Sequence, residues 1–308
     1  MEPLLLAPAL LIGCLLAIQA SANLQLNAAV GTPYGAAAVQ LGVATLVLLV
    51  VASAFGAVGA LSALGDATWW HALGGLASPL YITSGILLFP RLGALVSVAL
   101  FVTGQMFASL ALDLFGLLGV PERPLTATIA LGSLAVVAGI TAIVRATERT
   151  ASHRPTVSRF GWLLLGLIAG AALPVQGAVN ARLRTELHEP LAVALLSFLV
   201  ATLTILLLVT VLRMTGRTPR PDLANLRSVP WWGWLGGLCA ATYVTGTFLL
   251  LPTLGAATTI ALTVTGQQLA SALIDQYGAF RLARRPLTPG RAGGLALLLL
   301  GCLLVQLG

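Results

Sequence analysis

Charge is what this sequence has least of. Of its 308 residues only 8% are charged, lysine is absent, and nine acids stand against sixteen arginines. A soluble globular domain carries about a quarter charged residues, so the chain is not an ordinary one of those. Cysteine is scarce as well. Cys14, Cys239 and Cys302 all fall in apolar stretches, which excludes a disulfide framework and gives no support to an oxidising compartment. The histidines His71, His153 and His188 are scattered, and no Cys/His/Asp cluster has metal-ligand spacing, so neither a metal nor a cofactor is expected. No phosphate-binding glycine loop, nucleophile elbow or acid/base carboxylate pair occurs. An enzyme is not expected.

What is present is apolar length. Hydrophobic residues make up 58% of the chain, and its mean hydropathy is +0.99. A helix needs roughly 20 apolar residues to cross the hydrocarbon core. Ten such stretches occur, at 4–22, 35–56, 69–89, 92–112, 124–144, 161–180, 191–212, 231–250, 254–274 and 291–307. Runs such as Leu41 to Val51 and Leu203 to Val211 are apolar on every side, whereas a β-barrel strand alternates. The fold expected is an all-α membrane protein of about ten transmembrane helices. Glu2 and the absence of a basic leader region favour a retained first helix over a signal peptide.

The ten stretches fall into two copies. Thr103-Gly104-Gln105, Ala108-Ser109 and Asp113 return as Thr265-Gly266-Gln267, Ala270-Ser271 and Asp275, at a constant offset of 162. The same offset pairs Trp69-Trp70 with Trp231-Trp232, Gly74-Gly75 with Gly236-Gly237, Tyr81 with Tyr243, Pro90 with Pro252, Gly93 with Gly255 and Pro124 with Pro286. Nearer the start of each copy the offset is 157, pairing Gly13 with Gly170, Gln19 with Gln176, Asn23 with Asn180 and Pro33 with Pro190. Repetition on this scale makes the copy the structural unit. The organisation expected is a five-helix repeat at 1–145, a linker at 146–160 and a second five-helix repeat at 161–308.

Five spans is an odd number, so the second copy enters the membrane from the opposite side. Arginine tests the count. Arg91, the group Arg145, Arg149, Arg154 and Arg159, the group Arg213, Arg217, Arg220 and Arg227, and the group Arg281, Arg284, Arg285 and Arg291 share one side; only Arg123, Arg182 and Arg184 share the other. Cytoplasmic loops keep the Arg excess, which predicts cytoplasmic placement for the thirteen and both termini outside. The basic balance is thereby a matter of topology, and no nucleic-acid partner is expected. Antiparallel repeats related by a pseudo-two-fold axis recur among secondary transporters.

Polar side chains inside the spans mark candidate sites. Gln19, Asn23 and Asn27 are spaced by four, as are Gln176, Asn180 and Arg184, so each set shares one helical face. Amides in lipid need partners on a neighbouring helix or in a wet cavity; interhelical hydrogen bonding and cavity lining both fit. Gln105, Ser109 and Asp113, and again Gln267, Ser271 and Asp275, stand one turn apart beside Gly104 and Gly266. The glutamines are assigned to substrate and the Ser/Asp positions to coupling or to helix ends. No carboxylate occupies a span centre, which disfavours strict cation/proton antiport through an ionisable intramembrane group. Pro79 and Pro174 are expected to interrupt their spans and free backbone carbonyls, and Pro90 and Pro252 to mark turns.

The motifs Gln19-x3-Asn23 with Pro33, Gln176-x3-Asn180 with Pro190, and the two Thr-Gly-Gln…Ser…Asp blocks together resemble the YdcZ-like family of the drug/metabolite transporter superfamily. The resemblance covers nearly the whole chain and implies a bacterial inner-membrane exporter of small metabolites or drugs made of fused antiparallel halves. Related small exporters use a glutamate in the first helix, where this chain has Gln19 and Asn23. The function expected is secondary transport by alternating access, with substrate held by Gln19, Asn23, Gln105, Gln176, Asn180 and Gln267. A fused pair of halves in membrane lipid needs no second copy and should work as a monomer. The other readings are a non-transporting accessory subunit and a flippase for a lipid-linked substrate.

Overall fold

A computed structural model describes residues 5–122, 124–150, 158–254 and 256–307. Glu2, Arg123, His153, Arg154 and Gly255, which enter the sequence arguments, lie outside the described residues. Ten α-helices run through the rest: α1 (Leu6–Val30), α2 (Pro33–Ala54), α3 (Ser78–Leu92), α4 (Ala94–Phe115), α5 (Ala127–Thr150), α6 (Ser158–Leu187), α7 (Pro190–Met214), α8 (Leu235–Leu254), α9 (Ala256–Tyr277) and α10 (Pro289–Leu307). Among the described residues there is no strand. Among the described residues, eight segments are long and apolar enough to cross a membrane. The chain is an all-α membrane protein.

Local sequence explains where the helices begin. Pro33 and Pro190 open α2 and α7, where the missing N–H costs nothing because the first-turn donors have no helical acceptor. The Glu189 carboxylate accepts from the Leu191 N–H at 3.3 Å and caps α7. The turn before each proline needs one left-handed residue. Gly31 supplies it at φ 77°, and its counterpart His188 does so at φ 55°.

The third and eighth spans differ from expectation. Each enters as 3-10 helix, Trp69–Ala77 and Trp231–Trp234, before becoming α-helical as α3 and α8. Pro79 is therefore the second residue of α3 and interrupts nothing. Pro90 lies within the last turn of α3, and Gly93 makes the turn at φ 89°. Pro174 does sit inside α6, which continues past it. Trp69 and Trp231 are 75% and 77% exposed, as suits rings at a headgroup level. The apolar side chains Leu46, Val50, Leu203 and Leu207 are exposed on α2 and α7, where lipid would cover them.

The chain forms two compact units whose boundaries fall within α1, α3, α6 and α8. Each unit draws on both sequence copies. One comprises residues 1–17, 88–171 and 249–308. In it α5 and α10 run antiparallel along a glycine seam: a Cβ at Gly132 would meet the Gly301 carbonyl, and one at Gly139 the Gly294 carbonyl. Gly132 and Gly294 are matched positions, as are Gly139 and Gly301, so the seam is reciprocal. The glycines beside the repeated glutamines behave alike. A Cβ at Gly104 of α4 would fall on the Leu167 carbonyl of α6, and one at Gly266 of α9 on the Leu10 carbonyl of α1. Backbones this close exclude any side chain.

The other unit comprises residues 18–87 and 172–248. Here α2 packs on α7, and the matched threonines Thr45 and Thr202 share a hydrogen bond of 2.8 Å. The 3-10 segment lies on α7 through Gly75, whose Cβ would strike the Ser197 carbonyl. Its counterpart Gly237 meets Val43 and Ala44 of α2.

Candidate functional site

The amides predicted on α1 and α6 seat on glycines of the opposite copy. The Asn180 side-chain oxygen lies where a Cβ of Gly74 would be, and the Asn23 oxygen where a Cβ of Gly236 would be. Glycine is required at both places because the amide occupies the side-chain space. Around Asn180 the polar groups form a connected set. Ser78 Oγ donates to Gln176 Oε1 at 2.9 Å. Gln176 Nε2 and Asn180 Nδ2 donate to Ser197 Oγ at 3.3 and 3.1 Å. One hydroxyl on α7 therefore joins two amides of α6, and a second hydroxyl at the start of α3 completes the glutamine.

Around Asn23 the same frame is filled differently. The position matching Ser197 is Gln40, whose Nε2 donates to the Gly236 carbonyl at 3.4 Å. The position matching Ser78 is Ala240, which has no hydroxyl to give. Gln19, Asn23 and Gln40 are 4%, 1% and 0% exposed, and Gln19 Oε1, Asn23 Oδ1 and Gln40 Oε1 have no hydrogen-bond donor. A buried acceptor without a donor costs about 1–3 kcal/mol. Three in one frame need an explanation.

Beyond Asn180 the row on α6 ends in charge. His71 Nδ1 lies 3.0 Å from Glu186 Oε1, which also accepts from the Thr68 N–H at 3.3 Å. Glu186 belongs to the last turn of α6, not to a loop, and Arg182 and Arg184 are likewise helical. Sequence placed these three outside the span because the apolar run ends before the helix does.

The remaining predicted residues lie in the other unit. Gln267 and Ser271 of α9 are buried, while Gln105, Ser109 and Asp113 of α4 are half-buried. The Gln105 Nε2 has no acceptor, and Ser271 Oγ donates to the Gln268 carbonyl at 2.8 Å within its own helix. Asp275 is 1% exposed. Its carboxylate accepts from the Ala94 N–H at 2.7 Å and the Leu95 N–H at 3.2 Å, so it caps the first turn of α4, where the helix dipole favours an anion. The Arg291 guanidinium donates to the same carboxylate. Arg285 completes the corner by donating to the Pro90 and Arg91 carbonyls at the end of α3, each at 3.2 Å. A carboxylate at a helix start and a guanidinium at a helix end suit the two dipole poles. Arg291 belongs to α10 and is 2% exposed, so it is not a loop arginine. Its matched residue in the first copy is Ile129.

Sequence reasoning missed Gln40, Ser78, Ser197 and Arg291 as members of polar clusters. The first three were findable. Each is polar within an apolar stretch, and the repeat offsets align Gln40 with Ser197 and Ser78 with Ala240. Among the described residues no group of His, Cys, Asp or Glu could hold a metal ion. Cys14 is a free thiol that donates to the Gly266 carbonyl at 3.3 Å.

The family described as "Putative inner membrane exporter, YdcZ" matches residues 4–142 and again residues 161–304. The chain belongs to the YdcZ family. Membership makes it a multi-pass inner-membrane protein of an exporter family, which implies transport rather than enzymatic chemistry. The two matches meet at the stretch read as the linker. A solved structure described only as "Crystal structure of protein" is 18% identical, with a TM-score of 0.55, and the alignment covers 97% of this chain and 98% of that one. That likeness shows the fold alone. No curated protein matches the chain.

Proposed function

We propose that this YdcZ-family chain is a secondary transporter that exports small metabolites or drug-like solutes by alternating access of two inverted five-helix halves. The observation that supports it most is the pair of amide sets, the buried Gln19/Asn23 and the half-buried Gln176/Asn180, each seated on a glycine of the other copy. Neutral amides at depth bind polar solutes by hydrogen bonding and impose no charge requirement. Gln105 and Gln267, repeated with the same Gly neighbour, belong to the proposed substrate set. Asp275 is assigned to the helix end, and its matched residue Asp113 to the same role. Of the thirteen arginines counted on one side, the twelve other than the buried Arg291 face the cytoplasm, both termini face out, and one chain is the working unit.

The test compares intracellular and extracellular solute profiles of cells expressing wild type, Gln105→Leu/Gln267→Leu, or Gln19→Leu/Gln176→Leu, at equal membrane abundance. A solute that accumulates outside with wild type and is lost in either double variant supports the reading. Identical profiles in wild type and vector-only cells across nutrient conditions overturn it and favour an accessory subunit.

A further inference from the structure

The frame around Asn23 holds three acceptor oxygens without donors, and its counterpart around Asn180 shows where the two differ: Asn180 Oδ1 is likewise without a donor, but the Gln176 oxygen has one. In the latter, Ser78 completes the glutamine oxygen and the Ser197 hydroxyl takes both amide N–H groups. In the former, alanine replaces the serine that would serve Gln19, and Gln40 replaces the shared hydroxyl, adding another carbonyl oxygen. The exchange removes the hydroxyl that would serve the Gln19 oxygen and adds the Gln40 carbonyl oxygen, while the Gln40 amide N–H goes to the Gly236 carbonyl. The three oxygens that result, Gln19 Oε1, Asn23 Oδ1 and Gln40 Oε1, are at least nine-tenths buried and unpartnered. Glycine at 236 brings the α8 backbone against Asn23 and Gln40 together, so the two amides meet at one point, and Gln19 stands one turn along the same face of α1 as Asn23.

From this we infer that the Gln19/Asn23/Gln40 frame is a recognition site for a hydrogen-bond-donating group, such as the N–H of an amine or amide or the O–H of a polyol, carried by the transported solute. The inference rests on the exporter reading and names its substrate class. Three carbonyl oxygens satisfy three donors and repel a carboxylate or phosphate, which brings only lone pairs and negative charge. Gln19, Asn23 and Gln40 are neutral amides, so a formal positive charge on the solute is tolerated and not demanded. The Asn180 frame is the internal comparison: it has the same geometry, a serine donor on its glutamine and one unpartnered oxygen, Asn180 Oδ1. It should take such a solute more weakly.

Ala240→Ser tests this directly, because it gives the frame the hydroxyl that Ser78 gives the other copy. Purified protein in detergent is titrated with methylammonium chloride, acetamide, glycerol and sodium acetate as separate probes, and thermal unfolding is followed. The donor probes should raise the melting temperature of wild type by roughly 2 °C at saturation, leave Ala240→Ser unmoved, and be matched by no effect of acetate. Ala240→Ser without probe should itself melt at or above wild type, which separates competition from misfolding. Equal shifts in both proteins, no shift with any donor probe, or a shift with acetate overturns the inference and leaves the frame to ordered water or to a reversed amide. In cells, export by Ala240→Ser should fall roughly tenfold, the factor expected for one displaced hydrogen bond to the solute. Donor probes that fail to bind while export persists sink the site and spare the exporter reading. Donor binding with no solute moved by wild type does the reverse.

Discussion

The two copies of the repeat share a backbone and differ in how their polar groups are completed. Matched glycines make matched contacts: Gly104 and Gly266, Gly74 and Gly236, and the pairs of the α5/α10 seam all meet the partner copy at equivalent atoms. Several matched polar positions do not behave this way. The position of Arg291, which serves Asp275, is Ile129 in the first copy, Gln176 has Ser78 where the position beside Gln19 is Ala240, and His188 makes the left-handed turn that Gly31 makes in the first copy. Close packing fixes the frame, because two helix backbones in contact accept nothing larger than hydrogen. Chemistry is free to diverge within it.

The comparison is broken most severely at the shared glycines. Gly104→Leu and Gly266→Leu should each cost about 3 kcal/mol or more, since the new side chain meets backbone and not a movable side chain. Folded yield by size-exclusion chromatography should fall equally for the two, and a clear inequality would refute equivalence of the copies. Next comes the corner at α4. Asp275→Ala leaves a buried guanidinium unpaired and should cost about 3–5 kcal/mol, whereas Asp113→Ala, at a half-buried position, should cost less than half of that. Adding Arg291→Ile to Asp275→Ala copies the first repeat's residue and should recover part of the loss. Thermal unfolding of the four proteins tests this, and a double variant no better than the single would separate Arg291 from Asp275.

Smaller effects sharpen the contrast. Ser78→Ala should cost about 1–2 kcal/mol by leaving the Gln176 oxygen without its donor, read as a lowered unfolding midpoint. The smallest effect concerns the turns. His188→Gly removes left-handed strain of about 1–2 kcal/mol while adding unfolded-chain entropy of about 0.5–1 kcal/mol, so a net gain under about 1 kcal/mol is expected, and Gly31→His should lose a similar amount. Opposite signs in paired melting curves are the outcome that counts.

Although eight segments among the described residues, against the ten expected, are long and apolar enough to cross, the all-α membrane class was legible because each helix needs an unbroken apolar run and little else. The 3-10 entries at Trp69–Ala77 and Trp231–Trp234 were not, since an apolar run with paired glycines reads the same whether the turns hold three residues or nearly four. The amide rows on α1 and α6 were visible through their spacing of four. Ser78 and Ser197 could be picked out as polar residues in apolar stretches, but their pairing with Gln176 could not, because they meet it from other helices and no local spacing encodes that. Arg291 was counted with the loop arginines for a similar reason: its carboxylate lies sixteen residues back on another helix, and charge near a span end is ordinarily solvated.

The reciprocal glycine contacts also set a timetable for biosynthesis. Cys14 and Gly266 are 252 residues apart in the chain, and synthesis at about 5–20 residues per second separates their appearance by roughly 13–50 s. Through that interval α1 sits in the bilayer with Gln19 and Asn23 exposed to whatever helix is near, before the α9 and α8 segments that receive its glycine face and its asparagine have been made. The first copy must therefore hold a provisional arrangement and exchange it when the second arrives. Assembly of this chain is a substitution of partners as much as an accumulation of them.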